Sequence, residues 1–126
     1  MNEQLEKILI NRYPEIFVDD IYLECGTGWF WILDALCANI RNEYERQVDR
    51  LDDPKKTLIC PSVSQVKEKF GSLRFYLNPT HTDDDVWLGK IDAFISMAES
   101  MSSHTCENCG NPAVLPVLVI TGIPKR

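Results

Sequence analysis

Two thiols separated by two residues, in Cys106-Glu107-Asn108-Cys109-Gly110-Asn111-Pro112, can both reach one tetrahedral Zn²⁺ from a tight, glycine-containing turn. A structural zinc takes four ligands, and no second Cys-x-x-Cys or Cys-x-x-His follows between Gly110 and Arg126. The remaining ligands must come from His104, His81, Cys25, Cys37, Cys60 or the thiolates of a second subunit. His104 is adjacent in sequence, so Cys106, Cys109 and His104 are the expected metal ligands. A bound zinc and a metal-free turn both remain open at this point. Any metal here is expected to be structural, because a closed shell leaves no position for an activated water.

Other chemistries fit less well. Thioredoxin-like dithiols open a helix after a strand, whereas this pair follows a helical pattern and precedes a Gly-Asn-Pro turn. A cysteine nucleophile with His81 or His104 as base has nothing in the spacing to support it. Gly26-Thr27-Gly28 could offer free backbone N–H groups to an anion, but no Lys-Ser/Thr follows as in a phosphate loop, and Thr27 is explained as a helix N-cap. No catalytic residue is expected. The stretch Gln65 to Tyr76 interleaves bases with aromatics in the manner of a single-strand nucleic-acid surface. Its alternation, however, sends Phe75 inward with Leu73 and leaves Arg74 and Tyr76 on the other face. A small patch of Arg74, Tyr76, Lys67 and Lys69 is the expected partner-binding site.

The elements that must carry these residues follow from periodicity. Leu5, Ile8 and Leu9 mark an amphipathic helix over 3–12, ended by Tyr13-Pro14, with Ile16 and Phe17 packing back on it. Ile21 to Glu24 reads as a short strand or an extended lead-in. Trp29, Leu33, Leu36, Cys37, Ile40, Tyr44, Val48 and Leu51 share one face of a central helix over 29–51, with Trp29 in the core and Trp31 at the rim. Cys37 on that stripe is a small core residue. Residues 63–77 form a β-hairpin turning at Gly71. Thr82 caps a third helix over 84–102, whose buried stripe is Leu88, Ile91, Phe94, Ile95, Ala98 and Met101. The tail from Ala113 to Ile123 is apolar and broken by Pro116, an edge strand or a partner-facing segment. The expected fold class is α+β: three helices packed on a small antiparallel β-hairpin or sheet, with the Cys-x-x-Cys turn at the C-terminal end.

A chain of 126 residues with 44% hydrophobic and 25% charged residues suits one domain over 1–126. No secretory signal or membrane-length apolar run is present, so a cytoplasmic protein without a membrane partner is expected. The odd cysteine count of 5 argues against a disulfide scaffold. A net charge of −6 opposes binding to nucleic-acid phosphates. Only residues 41–76 are mildly basic, with eight bases against six acids.

Cys25-Gly-x-Gly-Trp-Phe, the Ile-Leu-Asp-x-Leu-Cys helix, Val66-Lys-Glu-Lys-Phe-Gly-x-Leu-Arg-Phe-Tyr and Thr105-Cys-Glu-x-Cys-Gly together resemble a family of small proteins encoded by phages, prophages and bacterial genomes. The resemblance spans residues 14–112. It implies a zinc-ribbon-like turn followed by a second Cys/His half-site, which the tail of this chain lacks, and it supplies no activity. The expectation is therefore a non-enzymatic protein-binding factor of phage or mobile-element origin, an inhibitor of a host defence complex. The acidic terminal thirds would suit a basic target, and a homodimer fits the incomplete zinc shell. The alternative is a zinc-stabilised nucleic-acid-binding or regulatory module that uses residues 41–76.

Overall fold

The computed structural model describes residues 1–51, 57–80, 82 and 84–113. His81 and the tail beyond Ala113 lie outside the described residues, as do the expected roles for them. The chain runs α1 (Glu3–Arg12), β1 (Leu23–Glu24), a 3₁₀ turn (Thr27–Trp29), α2 (Phe30–Asp49), β2 (Val63–Lys69), β3 (Ser72–Leu77) and α3 (Asp85–Ser102). Three helices and a three-stranded mixed sheet make it an α+β fold.

The sheet is not purely antiparallel. Strand order is β1-β2-β3, with β2 and β3 an antiparallel hairpin and β1 parallel to β2 through Leu23 opposite Val66 and Glu24 opposite Lys67. A two-residue parallel strand carries too little alternation to be read from sequence. Inward-facing Leu23, Val66, Leu73 and Phe75 meet Trp29 of the 3₁₀ turn, Leu33 and Ile40 of α2, and Trp87 and Ile91 of α3 in one core cluster. Ile16 and Phe17 are buried as expected, and Ile16 O accepts from Val63 N at 2.9 Å, joining the first loop to the start of the hairpin.

Two helix starts differ from the sequence reading. Thr27 does not cap α2; its hydroxyl accepts from Asn2 N at 3.0 Å, while Gly26 precedes the 3₁₀ turn that leads into the helix. Asp84, not Thr82, caps α3 by accepting from Trp87 N at 3.0 Å, and Thr82 Oγ1 accepts from Asp84 N one step earlier. An ionised carboxylate at the positive end of the helix dipole is the stronger acceptor. At the ends of the buried stripes, Val48 and Met101 emerge into solvent, and Trp87 enters the core in their place.

Both edges of the sheet are sealed by side chains, with the Met1 amino group adding to the β1 edge. On the β3 edge, Leu73 N donates to Ser102 Oγ at 2.7 Å and Phe75 N donates to Glu99 Oε2 at 3.1 Å. On the β1 edge, Leu23 N donates to Glu6 Oε1 at 2.9 Å and Leu23 O accepts from the Met1 amino group at 3.0 Å. An edge whose amides are already paired is a poor template for an added strand.

Candidate functional site

Because side chains alternate across a strand, pairing Val66 with Phe75 on the core side forces Lys67 opposite Arg74 and Gln65 opposite Tyr76 on the other. Lys67, Lys69, Arg74 and Tyr76, the four residues expected to bind a partner, thus share the outward face of the hairpin. Lys67 Nζ lies 5.9 Å from the Tyr76 ring centre, within cation–π range. Among the described residues none of these three cations is in an ion pair. Glu24, opposite Lys67 on β1, is the acid at the border of the face.

The tip of the hairpin adds a residue that the sequence reading did not single out. Lys69 pairs with Ser72, so Phe70 and Gly71 form a two-residue loop, with φ of 55° and 81° respectively. Both centres in the left-handed region define the turn type that favours Asn-Gly. Gly71 is free to adopt it, and Glu68 Oε2 secures the turn by accepting from Gly71 N at 2.7 Å. Phe70 is not: a bulky L-residue there costs roughly 1–2 kcal/mol. No internal packing offsets this, since Phe70 is 88% exposed, with Lys69 Nζ 5.6 Å from its ring centre. The available signal was a Phe standing where a two-residue hairpin loop calls for Asn.

The Cys106–Cys109 turn is a docked knuckle. Thr105 and Pro112 bridge as an antiparallel pair, Cys106 N donates to Asn111 O at 2.8 Å, Gly110 N donates to Cys106 O at 2.8 Å, and Gly110 takes a φ of 79°. The backbone N–H and thiol of Cys109, followed by the N–H groups of Asn108 and Gly110, hydrogen-bond the Cys106 sulfur and hold its pKa below the ordinary thiol value.

The knuckle sits against the Gly26-Thr27-Gly28 loop. Gly26 N donates to Glu107 Oε2 at 2.9 Å, Gly28 N donates to Glu107 O, and the Trp29 indole N–H donates to Thr105 O at 2.9 Å. The Gly26 amide therefore receives the chain's own Glu107 carboxylate, and the Gly28 amide receives the backbone carbonyl of the same residue. A Cβ on Gly26 would lie 2.2 Å from Glu107 O, and one on Gly28 would lie 2.2 Å from Cys106 O, so only glycine permits this approach.

The expected metal ligands are brought together only in part. Cys106 and Cys109 are neighbours, whereas His104 is exposed and takes part through its backbone, donating to Met101 O and accepting from Ala113 N. Among the described residues no three His, Cys, Asp or Glu side chains converge on one point. Cys25, Cys37 and Cys60 are buried, and burial raises all three thiol pKa values, Cys25 to about 11 and Cys60 to about 12.

A further concavity of about 510 Å³ opens between α2 and α3, with Trp31, Phe94, Met97 and Met101 among its lining residues. Trp31 is 73% exposed there, at the rim as expected. Among the described residues no helix is long and apolar enough to cross a membrane. Comparison with protein families, curated proteins and solved structures finds no match to this chain, so the family resemblance stands on its motifs alone.

Proposed function

We propose that the protein is a non-enzymatic protein-binding factor of phage or mobile-element origin. It docks the outward face of its hairpin on an acidic surface of a host protein complex and blocks that complex. The observation that carries this reading is Phe70, an exposed aromatic held in a costly conformation at the tip of a face that presents Lys67, Lys69, Arg74 and Tyr76. Strain at an exposed aromatic, beside a second aromatic and three cations that are in no ion pair among the described residues, suits a binding anchor. The sealed sheet edges support docking on the face in preference to strand addition. The cations select an acidic partner, in place of the basic target suggested by the acidic terminal thirds of the sequence. Three cations on a chain of net charge −6 give a weak counterion-release drive, which favours protein over nucleic acid.

Affinity capture from a bacterial lysate after nuclease treatment, read by mass spectrometry, tests this. The parent and a Lys7→Glu control should retain the same stoichiometric protein. Phe70→Asn and the Lys67→Glu/Arg74→Glu pair should lose it. Equal capture by all four would remove the hairpin from the interface. Submicromolar binding of mixed-sequence DNA or RNA that weakens steeply with salt would replace the reading with a nucleic-acid module.

A further inference from the structure

Cys106 and Cys109 form a half-site whose geometry is already set before any ion arrives. Both cysteines lie on one turn, closed by Gly110 N donating to Cys106 O and by Cys106 N donating to Asn111 O, each at 2.8 Å, and Cys109 is exposed at the surface. The knuckle is held in place by Glu107 on the Gly26 and Gly28 amides and by the Trp29 indole on Thr105 O. Two thiolates so arranged supply half of a tetrahedral zinc shell.

Cysteines and histidines within residues 1–126 fall short of that shell. Among the described residues no third ligand joins the pair. Outside them the only cysteine or histidine is His81. Counting it, at most three such ligands are available, one short of a closed site. Residues 114–126 contain no Cys, His, Asp or Glu.

We infer that two copies of this chain share one Zn²⁺, each supplying Cys106 and Cys109, to form a zinc-dependent homodimer. A two-fold axis through the ion closes the arrangement with identical halves and leaves no ligand position open. The surroundings suit a second copy. Met101 O accepts from His104 N at 3.1 Å and from Thr105 Oγ1 at 2.9 Å, so one end of the apolar concavity lies directly beside the knuckle. Exposed Met101 and Trp31 there give each copy apolar surface to cover on the other.

The test is the mass of the reduced full-length chain by light scattering, with the metal content of the same peak. Added Zn²⁺ should double the mass at one zinc per two chains, and a chelator should return it to monomer. Cobalt in place of zinc should give the visible spectrum of a tetrathiolate site. Cys109→Ser, at an exposed position that leaves the core untouched, should abolish the doubling and weaken zinc binding at least tenfold, with an unchanged circular dichroism spectrum. One zinc per monomeric chain, a dimer indifferent to chelator, or no zinc uptake would each overturn the proposal.

Discussion

At the scale of single residues, Phe70 sets stability against recognition. Asn adopts the left-handed conformation readily, so Phe70→Asn should relieve the turn and raise stability by about 1 kcal/mol, read as a higher urea midpoint. The same substitution removes the aromatic proposed to anchor the partner. Gain of stability with loss of capture would separate a binding residue from a structural one; a destabilised variant would show that the ring contributes to the fold. Phe75 gives the opposite case on the next strand. It is buried beside Val66, and Phe75→Ala should cost about 3–5 kcal/mol in the same assay. Which of the two aromatics faces inward is readable from alternation alone, because Leu73, Phe75 and Leu77 keep strict period two. That Phe70 takes a positive φ is not readable that way, since it follows from the register in which Lys69 meets Ser72.

Helices α1, α2 and α3 were legible because each repeats its apolar residues over several turns. What lies between them was less so. The Gly26-Thr27-Gly28 loop reads as a helix N-cap in preference to an anion site, yet the Gly26 amide receives a carboxylate, that of Glu107, 81 positions away. No local pattern encodes a pairing across that separation. The α2–α3 contact hides a similar case in Glu43. Its carboxylate is buried, accepting from Lys90 Nζ at 3.3 Å and Arg46 Nη1 at 3.2 Å, an acid on the helix's apolar stripe three residues after Ile40. Both partners are largely solvated, so they would return to water without it, and the bridge ties α3 to α2 more than it stabilises the whole. The docking of the knuckle is the sharper test at this scale. Gly28→Ala places a methyl into the backbone of Cys106 and Gly110, where nothing flexible can yield. It should expel the knuckle, break the Trp29–Thr105 hydrogen bond and red-shift tryptophan emission, while the β2–β3 hairpin stays formed. An unchanged emission spectrum would mean that the loop and the knuckle do not pack as described.

For the whole molecule, the distribution of buried titratable groups fixes how stability depends on pH. Tyr13 joins α1 to α2: its hydroxyl donates to Asp34 Oδ1 at 2.8 Å, and Arg41 lies over its ring at 4.7 Å. Burial, then the Asp34 hydrogen bond and charge, raise its pKa from 10.0 to about 12. Burial likewise raises Cys25 from 9.0 to about 11 and Cys60 from 9.0 to about 12, with Cys37 shifted in the same direction. A group whose folded pKa is raised binds its proton more tightly in the folded state. Its contribution is complete below the unfolded pKa and is lost as pH rises toward the folded value. Stability should therefore be insensitive to these groups below about pH 9 and fall through pH 9–12, by up to about 1.4 kcal/mol per pH unit for each group then titrating. Urea midpoints measured at intervals from pH 7 to 11 under reducing conditions should decline on the alkaline side, thiols first and Tyr13 above pH 10. Tyr13→Phe removes the phenol but leaves Asp34 paired with Arg12 at 3.0 Å, so it should cost about 1 kcal/mol at neutral pH and flatten the decline above pH 10. The two effects have opposite signs and cross as pH rises, which a general loosening of the fold would not produce. A parent midpoint that holds constant to pH 11 would mean that these four groups are as hydrated in the folded chain as in the unfolded one, and that the interface of α1 and the sheet with α2 is more open than the structure shows.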